Sequence, residues 1–206
     1  MGRRERWFAG LILAVTASAS PAIADLPNPN RSTVDRLLVA CPEGDFIFRI
    51  VVRDFVGNPR AGATVTLAFG SCPTFTLCVD PSAPYFVDAP SRSVFMTSNS
   101  QGIADFPLRM GGTCPDSLVA VYADGILFGR RYLASPDQNG DLGVNDVDRI
   151  LLESKLGSSD PTADLNGDGS VTAADVGILQ AHSGHICPVA VPVAPATWGR
   201  LKLLYR

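Results

Sequence analysis

The feature that most constrains the fold of this chain is a twelve-residue stretch that occurs twice. "DQNGDLGVNDVD" at residues 137–148 and "DLNGDGSVTAAD" at residues 164–175 agree at six of twelve positions, at an offset of 27 residues. Both copies place side-chain oxygens at positions 1, 3, 5 and 12, although crowded carboxylates repel one another. An internal repeat of this kind needs one physical cause. Calcium is such a cause, because a twelve-residue loop can supply its oxygen ligands from these positions and from the carbonyl of position 7.

The repeat therefore predicts two calcium sites. The predicted ligands of the first site are Asp137, Asn139, Asp141, the Gly143 carbonyl and Asp148, and those of the second are Asp164, Asn166, Asp168, the Ser170 carbonyl and Asp175. Position 6, where such a loop turns sharply, holds Gly169 in the second copy but Leu142 in the first. A left-handed backbone is unfavourable for leucine, so we expect the first site to be distorted or weaker.

Each loop leads into a short helical pattern. The apolar residues at helical spacing are Val147, Ile150 and Leu151 after the first loop, and Val176, Ile178 and Leu179 after the second. An alternative interpretation is that both stretches are Asp/Asn/Gly turns that only cap these helices, since Asp and Asn are favoured at helix starts. Two copies in the same register favour calcium over capped turns.

"DLNGDGSVTAADVGILQ" resembles the calcium-binding repeat of type I dockerin domains, and the resemblance covers residues 136 to 184. It implies a small EF-hand-like domain that folds around two calcium ions and docks onto a cohesin domain, often in secreted polysaccharide-degrading complexes. In that family, loop positions 10 and 11 recognise the cohesin and are commonly Ser-Thr. Here they are Asp146-Val147 and Ala173-Ala174, so the resemblance implies the calcium sites but does not identify the partner.

The region before the repeat has the alternation of β-strands. "DFIFRIVVRDF" and "AGATVTLAF" each place apolar residues on one side, and "VGNPRAG" between them has the composition of a turn. Five further short runs follow. The region is similar to bacterial Ig-like and prealbumin-like surface modules, which implies a structural or adhesive role without catalytic residues. The sequence thus predicts a mainly β chain, with a seven-stranded antiparallel Ig-like β-sandwich over 41–134 and a small α-helical, dockerin-like calcium domain over 135–186.

Five cysteines, at positions 41, 72, 78, 114 and 187, can oxidise if the chain is exported. The odd number leaves at least one of them unpaired within the chain. If the first two strands form a hairpin, Cys41 and Cys72 lie at the same end of the sandwich. We therefore expect a Cys41–Cys72 disulfide, with Cys72–Cys78 as the alternative.

The ends of the chain predict export. Residues 1–24 combine three arginines, a short apolar run and small residues before the predicted cleavage site, as in a secretory signal peptide. Residues 25–40 are predicted to be an N-terminal segment, and residues 187–206 a proline-rich linker with a basic-aromatic tail. No apolar run is long enough for a membrane span, and a net charge of -3 is not the basic pattern of a nucleic-acid binder. We expect a secreted or cell-surface protein.

The sequence contains no motif for a nucleophile, a phosphate loop or a paired acid and base, which predicts a protein that is not an enzyme. His182 and His185 with Cys187 are three possible zinc ligands within six residues, but without a fourth nearby a plain loop is favoured. The predicted function is therefore a secreted, non-catalytic, calcium-binding protein with a structural, adhesive or docking role. The alternative is a carbohydrate-binding accessory of polysaccharide degradation, with an aromatic platform formed by Tyr85, Phe86, Tyr122 and Phe128.

Overall fold

A computed structural model describes residues 25–187, except residues 71, 73, 79 and 116–117, and also the backbone of residues 190–191. The predicted signal peptide, and the predicted linker and tail apart from Cys187 and these two residues, lie outside the described residues. Within the described residues, no helix combines the length and the apolar character that crossing a membrane requires.

The secondary structure is mainly β. The strands are β1 (Thr33–Val34), β2 (Leu38–Val39), β3 (Ile47–Val51), β4 (Thr64–Ala68), β5 (Thr76–Cys78), β6 (Phe86–Asp88), β7 (Ser93–Thr97), β8 (Ile103–Pro107), β9 (Met110–Gly111), β10 (Val119–Ala123), β11 (Ile126–Arg131), β12 (Leu133–Ala134) and β13 (Ala190–Val191). The helices are α1 (Asp146–Glu153) and α2 (Ala173–Ala181).

These strands form several sheets, most of them antiparallel. The largest has the order β11-β10-β4-β7-β6, and three-stranded sheets have the orders β1-β3-β8 and β13-β5-β9. β12 pairs with β2 in parallel. The predicted mainly β, antiparallel class is confirmed, and each of the seven predicted runs contains at least one strand. Short strands that the sequence pattern missed, such as β1 and β2, add to them.

Side chains from the five-stranded sheet and from the β1-β3-β8 sheet form one core, as the alternation of apolar residues in the sequence predicts. Phe48 and Ile50 of β3 and Val65 and Leu67 of β4 are fully buried or nearly so. These two strands do not pair with each other: β3 pairs with β1 and β8, and β4 pairs with β10 and β7. The predicted hairpin of the first two strands is therefore wrong, because the chain changes sheets between them.

This change of sheets also corrects the predicted disulfides. Cys72 is bonded to Cys114, and Cys78 of β5 is bonded to Cys187, which follows α2. The Cα–Cα distances are 5.4 Å and 5.8 Å, within the usual range for a disulfide. Neither the Cys41–Cys72 pairing nor its Cys72–Cys78 alternative is present, and Cys41 is a buried free cysteine.

A second core lies beneath the repeat. It contains Leu152 of α1, Leu179 of α2, and Leu165 and Val171 from the second loop. Buried residues from earlier in the chain join it: Val39, Cys41 and Ala134. The repeat therefore packs directly against β2, β12 and the residues between β2 and β3.

Candidate metal centre in the paired loops

Both helices of the repeat begin with the same hydrogen-bonded cap. Asn145 precedes α1 and its side chain accepts a hydrogen bond from the amide of Val147 at 2.8 Å, while Asp148 accepts one from the amide of Asn145 at 2.9 Å. Thr172 and Asp175 form the equivalent capping box at the start of α2. The signal for these caps is Asn or Thr three residues before Asp, which resembles the capping-box spacing. Position 12 of each loop is thus also the third residue of a helix.

In the first loop, backbone amides orient two buried carboxylates. The Asp137 oxygens accept hydrogen bonds from the amides of Gly140 at 2.7 Å and Leu142 at 2.8 Å. Asp148 Oδ1 accepts from the amide of Gln138 at 2.8 Å. The loop therefore wraps around its own acidic side chains, and their oxygens are fixed by the backbone rather than by cationic side chains.

The second loop repeats this arrangement. The Asp164 oxygens accept hydrogen bonds from the amides of Gly167 at 2.7 Å and Gly169 at 2.8 Å. Asp175 Oδ1 accepts from the amide of Leu165 at 2.8 Å.

The correspondence extends through both loops. Equivalent acceptors receive hydrogen bonds from the same donors in both loops: the amides of positions 3, 5 and 7, the amide of the helix cap, and the side-chain amide of position 3. Each pair of distances agrees within 0.1 Å. The two loops therefore share one hydrogen-bonding pattern, although among the described residues only the first loop brings one oxygen from each of three carboxylates within 4.8 Å of the others.

The carboxylates at positions 1 and 12 are buried. Asp137, Asp148 and Asp175 are 0% exposed and Asp164 is 7% exposed. Among the residues that the structure describes, no lysine or arginine forms an ion pair with any of the four. Acidic side chains are rarely fully buried without such a partner. Burial, opposed by hydrogen bonds from the Gly140 and Leu142 amides and reinforced by the charges of Asp148 and Asp141, raises the pKa of Asp137 to about 7. The arrangement lacks the positive charge that would stabilise it.

The spacing of these oxygens fits a divalent ion. One carboxylate oxygen from each of Asp137, Asp141 and Asp148 lies within 4.8 Å of the others. Two ligands on opposite sides of a calcium ion are about 5 Å apart, because each bond is 2.3 to 2.6 Å long. The oxygens of the first loop can therefore converge on one ion without a large rearrangement.

Leu142 adopts the left-handed backbone that position 6 requires. Its φ is 70°, and that of Gly169 at the equivalent position is 95°. The expected distortion of the first loop is therefore absent, because its hydrogen bonds match those of the second. Leu142 is only 8% exposed, and burial of its side chain offsets part of the cost of the left-handed backbone. The weaker affinity of the first site stays a prediction.

Helical spacing in the sequence identified the buried side of α2 but not that of α1. In α1, Val147, Ile150 and Leu151 are 52%, 59% and 38% exposed, whereas Leu152 is fully buried. In α2, Leu179 is buried and Val176 and Ile178 pack partly against the second core. The apolar residues that follow the first loop thus form a surface patch, which we call the α1 patch (Val147, Ile150 and Leu151).

A glycine outside the repeat allows strand β9 to lie close to the first loop. A Cβ atom added to Gly111 of β9 would overlap the Asp137 carboxylate. The sequence pattern of β9 gives no signal for this approach, because it depends on how the strand packs against a loop far along the chain.

The predicted aromatic platform on the sandwich is largely absent. Tyr85 is 5% exposed, and its hydroxyl accepts a hydrogen bond from the amide of Arg109 at 3.0 Å, so it cannot contribute. Tyr122 and Phe128 are half-buried. Phe86 is 68% exposed and stacks on Phe95 with the ring centroids 5.5 Å apart.

Comparison of the chain with protein-family models, with curated proteins and with solved structures gave no match.

Proposed function

We propose that this chain is a secreted, non-catalytic protein that binds one calcium ion in each loop and uses the loaded domain to dock a protein partner. The observation that carries the proposal is the set of four buried carboxylates in two loops, none of which forms an ion pair with a lysine or arginine in the described part of the chain. Capped turns alone would explain the helix starts. They would not explain why the carboxylates at positions 1 and 12 are withdrawn from water.

Bound calcium would neutralise the carboxylates and link the beginning of each loop to its helix. The proposed ligands are the ten groups predicted from the repeat. Unfolding separates the ligands of these buried sites, so the binding free energy would add to folding stability. At a free calcium concentration of 100 times Kd, each site would stabilise the folded protein by about 2.7 kcal/mol.

The α1 patch supports a docking role. Exposed apolar side chains that lie together on one helix can bind a partner protein. Position 10 of the first loop, Asp146, has an 88% exposed side chain, and position 11, Val147, belongs to the patch. These are the positions through which the resemblance to dockerins implies partner recognition, so the proposed partner is a cohesin-like domain.

Two disulfides, Cys72–Cys114 and Cys78–Cys187, support the secreted location. Disulfides form and persist mainly in oxidising compartments.

Calorimetric titration with calcium tests the metal sites. We expect two sites in the wild type, one site each in Asp137→Ala and Asp164→Ala, and two sites in the control Asp146→Ala. Asp146 is an aspartate of the same loop whose exposed side chain is not a proposed ligand. Absence of calcium binding in the folded wild type would contradict the proposal and leave the loops as capped turns.

Binding to an immobilised cohesin domain tests the docking role separately. We expect calcium-dependent binding that Val147→Glu weakens more than tenfold, because a carboxylate would have to be buried in an apolar contact. The matched control is Val56→Glu, since Val56 is 62% exposed and lies before β4, away from the repeat. If calcium binds but no cohesin domain does, the metal sites stand and the proposed partner is wrong.

A second candidate function, glycan binding by the sandwich, rests on Phe86 alone. An exposed ring braced by Phe95 can stack on a sugar. Retention of the wild type on insoluble polysaccharide, and its loss in Phe86→Ala, would support this function. Equal retention of both proteins would contradict it.

A further inference from the structure

We propose that Cys41, Asp45 and His185 bind a transition-metal ion such as Zn²⁺, with His182 as a fourth ligand. This site is separate from the calcium loops and lies where the repeat packs against the residues that precede β3. The chain has two histidines, and both lie here. His185 lies beside Cys41, the one cysteine that the described disulfides leave as a thiol, and the two imidazole rings are 5.1 Å apart.

The ligand atoms already lie close together. Cys41 Sγ is 3.5 Å from His185 Nδ1, and Asp45 Oδ2 is 2.9 Å from the same nitrogen. One ligand atom from each of the three residues lies within 4.8 Å of the other two. The backbone holds His185 in this place, because its carbonyl accepts a hydrogen bond from the amide of Val144 at 2.9 Å.

These distances fit tetrahedral zinc. With Zn–S near 2.3 Å and Zn–N near 2.05 Å, the sulfur and nitrogen ligands of a tetrahedral ion are about 3.6 Å apart. The observed separation of Cys41 Sγ and His185 Nδ1 is 3.5 Å. A carboxylate oxygen would lie about 3.4 Å from the nitrogen, so Asp45 would move outward by about 0.5 Å. Its side chain is 42% exposed and is free to do so.

His182 is held in the form that a metal ligand requires. Its Nδ1 lies 2.7 Å from the carbonyl oxygen of Ile178, and a carbonyl can only accept, so Nδ1 carries the proton. In the neutral imidazole Nε2 is then the nitrogen with a free lone pair, and it lies 3.7 Å from Asp45 Oδ2. The ring also stacks on Phe46 at 4.8 Å. A histidine that donates one N–H to a backbone carbonyl and offers its other nitrogen is the usual arrangement around protein-bound zinc.

The same residues do not form a nucleophilic triad. In such a triad the nucleophile and the carboxylate contact opposite nitrogens of the imidazole, whereas here Cys41 and Asp45 both approach Nδ1 of His185. Cys41 is also 0% exposed, so a substrate cannot reach its sulfur. The Cys41 sulfur and the Asp45 oxygen both lie near Nδ1 of His185, which indicates that one ion can be shared by the three ligand atoms.

An ion can reach this position from the surface. A shallow depression beside it is lined by Pro42, Glu43, Asp45, Arg109 and Ile186. Glu43 Oε2 lies 4.0 Å from His185 Nε2, the ring nitrogen that is not a proposed ligand atom. Thiolate and imidazole ligands select zinc and related ions rather than calcium, so this site and the loops would take different metals.

Cobalt(II) titration of the mature protein, stripped of transition metals and then saturated with calcium, tests the proposal. Saturating calcium keeps Co²⁺ from the carboxylate loops, and a thiolate ligand gives a charge-transfer absorption that carboxylates do not. We expect one Co²⁺ per chain with this absorption, displaced by Zn²⁺. Cys41→Ser should abolish the absorption. His185→Gln removes a proposed ligand and should weaken binding by more than the roughly 10- to 100-fold that loss of an outer-shell partner typically causes.

Glu43→Gln is the matched control. It removes a nearby acid that is not a proposed ligand, and the absorption should be retained. His185→Gln leaves the buried cysteine in place, so it tests the site even if Cys41→Ser fails to fold. No thiolate absorption in the wild type, or an absorption that survives in folded Cys41→Ser, would overturn the proposal.

Discussion

Replacing Gly169 by alanine isolates the energetic cost of the left-handed backbone in a calcium loop. Gly169 has a φ of 95°, and its amide donates a hydrogen bond to Asp164 Oδ2 at 2.8 Å. No heavy atom lies within 4 Å of the position that an added Cβ would occupy. The new methyl group therefore meets no steric obstacle, and the change is confined to the backbone. A left-handed conformation costs an L-residue roughly 1 to 2 kcal/mol.

The matched control is the same substitution at Gly177, inside α2. An added Cβ there also meets no heavy atom within 4 Å. In a helix interior, alanine is more favourable than glycine by about 1 kcal/mol. The same substitution is thus expected to destabilise the protein at residue 169 and to stabilise it at residue 177. The difference between the two changes in unfolding free energy reports the local backbone conformation.

Urea unfolding of the calcium-loaded protein, followed by circular dichroism, measures both changes. Gly169→Ala should lower the free energy of unfolding by about 1 kcal/mol, since restriction of the unfolded chain by alanine offsets part of the strain. Gly177→Ala should raise it by about 1 kcal/mol. The denaturant slope should not change. If Gly169→Ala stabilises the protein as Gly177→Ala does, residue 169 is not left-handed, and the reason for expecting a weaker site at Leu142 is lost.

Two further predictions follow from burial and charge. Cys41 should resist alkylation in the folded, metal-free protein and react after unfolding, because its side chain is 0% exposed. Mass spectrometry of the alkylated protein measures this. Rapid labelling of the native protein would contradict the prediction. Hydrogen bonds from the Ser82 hydroxyl and then its amide lower the pKa of Asp80. Its folded pKa is below its unfolded pKa, so its stabilising contribution is present above the unfolded value and is lost as pH falls through the folded value. Ser82→Ala should therefore reduce the acid dependence of the thermal midpoint as pH falls below the unfolded value of about 4, and an unchanged pH profile would contradict this role.

The sequence predicted the local structure of this chain better than its long-range pairing. Alternating apolar residues identified the buried side chains of β3 and β4, because a strand exposes successive residues on opposite faces. The turn between them is also present, since the amide of Arg60 donates to the carbonyl of Val52 at 2.9 Å. Local turn chemistry could not show that the chain then enters another sheet. The predicted disulfides failed for that reason.

The same contrast between local and long-range information applies to the two candidate metal sites. The calcium loops are encoded within twelve residues each, so their ligands could be proposed from spacing alone. The group of Cys41, Asp45 and His185 joins residues separated by more than a hundred positions in the sequence. Spacing along the chain identified only the pair of histidines and grouped them with Cys187, which is bonded to Cys78. Similarly, helical spacing predicted α1 but not that its apolar residues would face solvent.

The disulfide between Cys78 and Cys187 has a mechanical consequence. It joins residues 109 positions apart, and the segment between them contains both loops and both helices. A chain pulled from its two ends would carry tension through this covalent bond and bypass the enclosed residues. At about 3.3 Å per extended residue, a contour length of roughly 360 Å would be withheld until the bond is reduced. A partner docked on α1 would thus bind a segment that stays folded when the oxidised chain is pulled from its ends.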